Sequence, residues 1–225
     1  MHTHHMRAHR ATPHPRSPCE DDRVHLDAVT AALAAAPSPE APRFVDFVRQ
    51  HGDAALRRDG GPEHVTASCF VFSPDLAHVL LCLHRKGRFW VQFGGHLEPD
   101  DHDLADAARR EAREESGIPD LQLRSGAVAD LDRHDLHGGF ACAAHWDVGF
   151  VATADPSVST TVSDESDDVR WFPVGALPAA VPPGFAARLR AVVAGATGVP
   201  RVAGATGIAG VTHRDSGIAG VTQRD

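Results

Sequence analysis

The sequence predicts an α/β fold, a mixed β-sheet held between helices and preceded by a helical extension. Three observations lead there. Runs rich in β-branched and aromatic residues begin at His64, one helix-period segment interrupts them from Leu104 to Ser116, and another follows them from Phe185 to Val193. Strands, helix, strands, helix is the order of a sheet with helices packed on it. At 225 residues and 42% hydrophobic the chain can bury a real core. No stretch approaches the ~20 continuous apolar residues of a membrane span, so no membrane partner is expected.

The elements follow in order. Residues 1–20 are polar and rich in His and Pro, and are expected to be mobile. The basic start from Met1 to Arg16 has no apolar core, so it does not read as a secretory signal. Residues 21–63 read as a helical extension, with helices from Leu26 to Ala36 and from Pro42 to Arg58 separated by the Pro-Ser-Pro break at 37–39. Phe44, Phe47 and Val48 give the second helix an apolar stripe. This pair is expected to pack on the main domain, with a lid or a homodimer contact as the alternatives the sequence leaves open.

The main domain is placed at 64–193. His64 to Ser73, His78 to Arg85 and Arg88 to Phe93 read as strands, separated by Ser73-Pro74-Asp75 and Lys86-Gly87, with Gly94 and Gly95 ending the third. Leu104 to Ser116 reads as a helix of good helix formers, with Asp103 as N-cap and Gly117 as the left-handed exit. Leu121 to Asp130, Ala141 to Ala152 and Val169 to Phe172 read as further strands, and Pro183-Gly184 leads into the last helix. Residues 194–225 form a Gly-rich, low-complexity tail in which Thr206 to Asp215 is nearly repeated by Ser216 to Asp225. Two ten-residue copies are too short for a solenoid.

The chemistry is concentrated where the glycines meet the central helix. Glu111, Glu114 and Glu115 stand at i, i+3 and i+4, on one side of that helix, where a hard divalent cation can be shared between them. Around the helix, Leu104, Ala105, Ala108 and Ala112 form the apolar arc and Asp106, Arg109, Arg110 and Arg113 the opposite one. Glu111 and Glu115 lie beside the apolar arc and Glu114 at its edge. Carboxylates near a helix C-terminus face the negative end of the macrodipole and repel one another, two penalties that a bound dication reverses. The competing reading is an ordinary charged helix neutralised by its arginines.

These residues resemble the Nudix hydrolase signature, G-x5-E-x7-R-E-U-x-E-E-x-G-U with U a bulky aliphatic residue. Gly95, Arg110, Glu111, Glu114, Glu115, Gly117 and Ile118 match it. Asp101 stands where the family has Glu, eight residues rather than seven separate it from Arg110, and Ala112 replaces a larger side chain. The extra residue falls in the turn before the helix, where length changes are tolerated best. The resemblance implies an α/β/α sandwich and a Mg²⁺-dependent pyrophosphohydrolase, with Mn²⁺ as a substitute ion. The substrate implied is a nucleoside diphosphate linked to another moiety, hydrolysed by water attack on phosphorus. By this resemblance Glu111, Glu114, Glu115 and the Gly95 carbonyl are the metal ligands and Arg110 is an orienting salt-bridge partner. Asp101 is either the first acid of the motif or a turn residue near the helix start. Glu165, ahead of Val169 to Phe172, is a candidate general base, although Asp164, Asp167 and Asp168 around it also suit a solvated loop.

The remaining signals narrow the partners. A net charge of −8 argues against nucleic acid, leaving a nucleotide-type small molecule as the expected substrate, despite the basic stretch from Arg85 to Arg88. Cys69, Cys82 and Cys142 sit in apolar strand patterns and, with Cys19, form no C-x-x-C pair, so buried free thiols in the cytoplasm are expected. His134, His137 and His145 lack close zinc spacing, and no zinc is assigned. Trp90, Phe93, Trp171 and Phe172 suit either base stacking or the core, and His96 is one of sixteen histidines within reach of a phosphate reading. The alternative function is a catalytically silent Nudix-fold nucleotide-binding or regulatory module. An isopentenyl diphosphate isomerase is disfavoured because it calls for a suitably placed catalytic cysteine and none is expected near the glycine turn.

Overall fold

The computed structural model describes residues 24–136 and 141–198. The polar start, the repeated segment and His137 lie outside the described residues. Helix α1 spans Leu26–Ala34, and α2 spans Ala41–His51 before a short 3-10 helix, Gly52–Leu56. The second helix therefore stops earlier than expected. Gly52 adopts φ 58°, a left-handed value that ends the α-helix, and the chain tightens as it turns toward the sheet. Phe44 and Phe47 are buried against Trp146, the first edge-on at 5.0 Å and the second stacked at 4.3 Å. Packing on the sheet is thus the role seen for the extension.

The sheet is built from β1 (Glu63–Phe72), β2 (His78–His84), β3 (Phe89–Val91), β4 (Phe93–His96), β5 (Gln122–Leu123), β6 (Asp130–Asp135), β7 (Ala144–Thr153) and β8 (Ser166–Pro173). Helix α3 (Leu104–Ser116) separates β4 from β5, and α4 (Phe185–Ala196) follows β8. The strand order is β3-β2-β1-β7-β5, with β4 also paired to β1, β6 to β7 and β8 to β2. Strands β1 and β7 run parallel from Glu63↔Ala144 to Phe72↔Thr153. All the other pairings are antiparallel, so the sheet is mixed as expected.

Two faces follow from strand periodicity. Val65, Ala67, Cys69 and Val71 face one way, into a core shared with α1, α2 and α3. Phe70 and Phe72 face the other way, against Phe185, Leu189 and Val192 of α4. The result is an α/β/α sandwich. Further along β1 on the α4 side, the same alternation brings up His64, Thr66 and Ser68, and Thr66 and Ser68 line an open cleft.

Several sequence expectations need correction. The run from Arg88 to Phe93 is two strands, because Gln92 turns its amide into the interior to reach Asp147 at 3.2 Å. Gly94 and Gly95 do not end a strand but lie within β4, paired with Ser68 and Ala67. Leu121 to Asp130 holds only the two-residue β5, while the charged segment Asp130–Asp135 forms β6. Cys69 and Cys82 are buried, yet Cys142 is half-buried in the loop before β7 rather than in a strand.

Candidate active site

Helix α3 forms where its sequence predicts. Asp103 is the N-cap, its carboxylate accepting from the Asp106 N–H at 2.7 Å, and Gly117 leaves the helix at φ 70° with its N–H on the Arg113 carbonyl at 2.9 Å. Ala107, Ala108 and Ala112 are fully buried, and these small side chains let the helix lie close against β1 and β4. Closeness is what brings the acids to the glycines. A Cβ at Gly95 would fall on the Glu111 carboxylate, and one at Gly94 would meet Ser68 Cβ at 2.6 Å and the Ala67 carbonyl at 2.8 Å. Only glycines admit this approach.

The three helix acids occupy different environments. Glu115 is 6% exposed, and its Oε2 accepts the Gly94 N–H at 3.1 Å. Burial pushes its carboxyl up to about 8, against the opposing effect of that N–H and with repulsion from Glu111, Glu165 and Glu114. Glu111 is pushed up to about 7, again chiefly by burial, although Arg110 donates to its Oε1 at 3.0 Å. Glu114 instead stands at the rim, its side chain 60% exposed and 3.3 Å from Arg110. Burying two carboxylates side by side disfavours their charged forms unless a cation joins them.

Arg110 is the organising cation. Its guanidinium donates to both oxygens of Asp101, at 2.9 and 3.0 Å, and to the His96 carbonyl at 3.0 Å. Burial works against its charge, and Asp101 and Glu111 more than offset that, raising its affinity for the proton. Asp101 is only 2% exposed and also accepts the Glu98 N–H at 2.7 Å. Its place is therefore a buried clamp that closes the turn onto Arg110. The resemblance implied a salt bridge from Arg110 to a carboxylate of the motif; that its principal partner is Asp101, nine residues ahead in the turn before α3, was not foreseen.

The cleft beside these residues has a volume of about 600 Å³ and is lined by Thr66, Ser68, Gln92, Gly94, Gly95, Asp147 and Glu165 among others. Glu165 is exposed in the turn before β8, and its charge is felt by both Glu111 and Glu115. Asp147 lies at the cleft floor, accepting from Thr66 at 3.0 Å and Ser68 at 2.6 Å, with Arg188 of α4 at 3.7 Å. Burial raises its carboxyl above the usual range. Arg188 also bonds Asp130 at 2.6 Å and Asp132 at 2.8 Å, tying α4 to β6. A larger cavity of about 1080 Å³ lies between the helical extension and Leu97 to Pro99; the acids of α3 line neither space, but the smaller cleft is bounded by Gly94 and Gly95, which Glu115 and Glu111 meet from behind.

Other expectations resolve on the same map. Trp90 and Phe93 are core residues, while Trp171 and Phe172 pack partly buried against it. Arg85 and Arg88 both pair with Asp167, at 3.0 and 2.6 Å, so the charge of the basic stretch is partly offset locally. Distance in sequence misled for Cys142. Its Sγ lies 3.8 Å from His96 Nε2, directly after the glycines. Among the described residues, no helix is long and apolar enough to cross a membrane.

A family model described as the NUDIX domain matches residues 62–194. A search of curated proteins finds no match. Among solved structures, the chain is similar to a C. elegans Ap4A hydrolase binary complex at 18% identity, covering 60% of this chain and 98% of that one, with a TM-score of 0.50. A NUDIX-family hydrolase from Clostridium perfringens is 23% identical over 58% of this chain and 96% of its own, with a TM-score of 0.48. A MutT protein from Methanosarcina mazei Go1 is 17% identical over 60% and 96%, also at 0.48. At these identities the structural likeness bears on fold alone.

Proposed function

Because the chain belongs to the NUDIX domain family, we propose that it is a Mg²⁺-dependent hydrolase of a nucleoside diphosphate linked to another moiety, acting by water attack on phosphorus. The observation that carries this reading is the pair of carboxylates, Glu115 buried and Glu111 half-buried, held against the glycine backbone with their charged forms disfavoured. Their oxygens fit a hard dication, which prefers a few carboxylates and retained water. Glu111, Glu114 and Glu115, with the Gly95 carbonyl, are the residues that would hold the ion. When bound, Mg²⁺ stabilises the crowded diphosphate charge and lowers the pKa of the attacking water.

The chain's own residues supply the rest. Arg110, fixed by Asp101, holds Glu111 in place and pins the end of β4 through the His96 carbonyl. Glu165 is the general base, an exposed carboxylate at the cleft edge that takes the proton from the attacking water. The cleft, at about 600 Å³, has room for a nucleotide. Buried free thiols at Cys69 and Cys82 support a reducing, cytoplasmic setting.

The test is phosphate release, after coupling to a phosphatase, from a panel of nucleoside diphosphate derivatives including dinucleoside polyphosphates, nucleotide sugars, ADP-ribose and nucleoside triphosphates. Mg²⁺-dependent turnover of at least one class is expected, and Glu115→Gln should lower kcat by about a hundredfold while circular dichroism stays unchanged. Tight nucleotide binding with no turnover across the panel would favour the silent binding module.

A further inference from the structure

We propose that His64, His96, Cys142 and His145 form a tetrahedral zinc site that clamps the rim of the cleft, separate from the carboxylate site on α3. The site arises from register. His64 and His145 are direct partners across the parallel β1/β7 pair, and His96 pairs with Thr66, the next position of β1 on the same face. Cys142 lies just ahead of β7 and brings its thiol to the same point. The four ligand atoms all lie within 4.8 Å of one another.

The three imidazoles form a nearly equilateral triangle, with ring centroids 4.9, 5.1 and 5.2 Å apart. A tetrahedral zinc, with bonds of about 2.0–2.1 Å to nitrogen and about 2.3 Å to sulfur, would set a nitrogen and a sulfur about 3.6 Å apart. Cys142 Sγ and His96 Nε2 are separated by 3.8 Å. Little contraction is needed there.

Polar satisfaction gives an independent reason. His64 is fully buried, with Nδ1 on the Gly61 carbonyl at 3.4 Å and Nε2 without a hydrogen-bond partner. That carbonyl contact fixes the tautomer, leaving the Nε2 lone pair free for a metal. His145 Nε2 is likewise buried and unpartnered. Two orphaned ring nitrogens beside a thiol are unfavourable for a core and favourable for an ion.

The donor set selects the ion. Three imidazoles and a thiolate suit zinc and are poor ligands for Mg²⁺, which prefers oxygen. Four protein ligands leave no open position, so the ion is structural, and its binding releases the Cys142 thiol proton to solvent. Its anchoring effect falls on His96, whose carbonyl is already held by Arg110 at 3.0 Å. Metal and guanidinium thus fix the same residue, immediately after Gly95.

Cobalt substitution of the full chain tests this, with the metal content counted and the absorption spectrum recorded. One tightly held ion per chain is expected, with intense tetrahedral bands and a thiolate-to-cobalt charge-transfer band that disappears in Cys142→Ser. His145→Gln should weaken the ion's affinity by about a hundredfold or more. The histidines near the N-terminus have Cys19 close by in sequence, so every spectrum is recorded in a Cys19→Ser background, where that segment can take up cobalt only without sulfur and the charge-transfer band is the deciding signal. Its absence from the background protein, or its persistence in a folded Cys142→Ser variant, overturns the proposal. Should that variant fail to fold, the background spectrum decides alone. Neither outcome bears on hydrolysis at Glu111 and Glu115.

Discussion

At the scale of single residues, the carboxyls of Glu111 and Glu115 couple the candidate site to pH. Both are raised from 4.5, to about 7 and about 8, so the folded chain binds their protons more tightly than the unfolded chain does. Stability from this source is complete below about pH 4.5 and is lost as pH rises through 7 and 8. His64, His96 and His145 act with the opposite sign, but only below their ordinary value of 6.5. Above it the carboxyls are unopposed, and His134, raised by Asp132 against the effect of burial, has the same sign as they do. The melting temperature of metal-free protein should therefore fall between pH 6.5 and 8, and excess Mg²⁺ should flatten the fall. Identical slopes with and without Mg²⁺ would show that no ion meets these groups. The acids themselves were legible from spacing alone, since i, i+3 and i+4 fix a helix side. Their unequal burial was not, because it depends on how closely the helix packs on β4.

At the scale of elements, α3 was readable to the residue, with its cap, body and exit coded by Asp103, a run of strong helix formers and Gly117. Local signals sufficed there. Strand β6 was hidden because Asp130, Asp132 and His134 alternate polar groups toward the cleft face, where Arg188 neutralises two of them. A charged strand is stable only through such long-range pairing, and sequence patterning does not reveal the partner. The glycines of β4 misled in another way. They read as a strand end, yet they are strand residues left bare, Gly95 so that Glu111 of α3 can approach and Gly94 so that β4 can lie against Ala67 and Ser68 of β1. Gly95→Ala would drive a methyl into the Glu111 carboxylate and displace it. Turnover should drop by about a hundredfold, as for other displacements near an ångström, while chemical denaturation changes little. Wild-type turnover in this variant would mean that the approach of α3 to β4 has no functional consequence.

At the scale of the whole molecule, the layered α/β/α order followed from the succession of strand and helix patterns, and so did packing of the helical extension on the domain, whereas the surface it packs on did not. An apolar stripe says that a helix is covered, not by what. Here Phe47 lies on Trp146 of β7, whose indole N–H donates to Glu63 at 2.9 Å, so the extension is part of the core. Phe47→Ala should destabilise the chain by about 3–5 kcal/mol in urea unfolding. A change under about 1 kcal/mol, within the range of ordinary surface substitutions, would mark the extension as loosely attached. The histidine and cysteine cluster is likewise invisible to spacing, because positions 64, 96, 142 and 145 meet only through the register of β4, β1 and β7. Central to the functional reading is a divalent ion held by the buried acids of α3. Titration of the protein with Mn²⁺, followed by electron paramagnetic resonance, reports that binding directly. Wild-type protein should quench the free-ion signal in a saturable way, and the Glu111→Gln/Glu115→Gln double variant should bind about a hundredfold more weakly. Superimposable titrations of the two folded proteins would contradict a metal at that site.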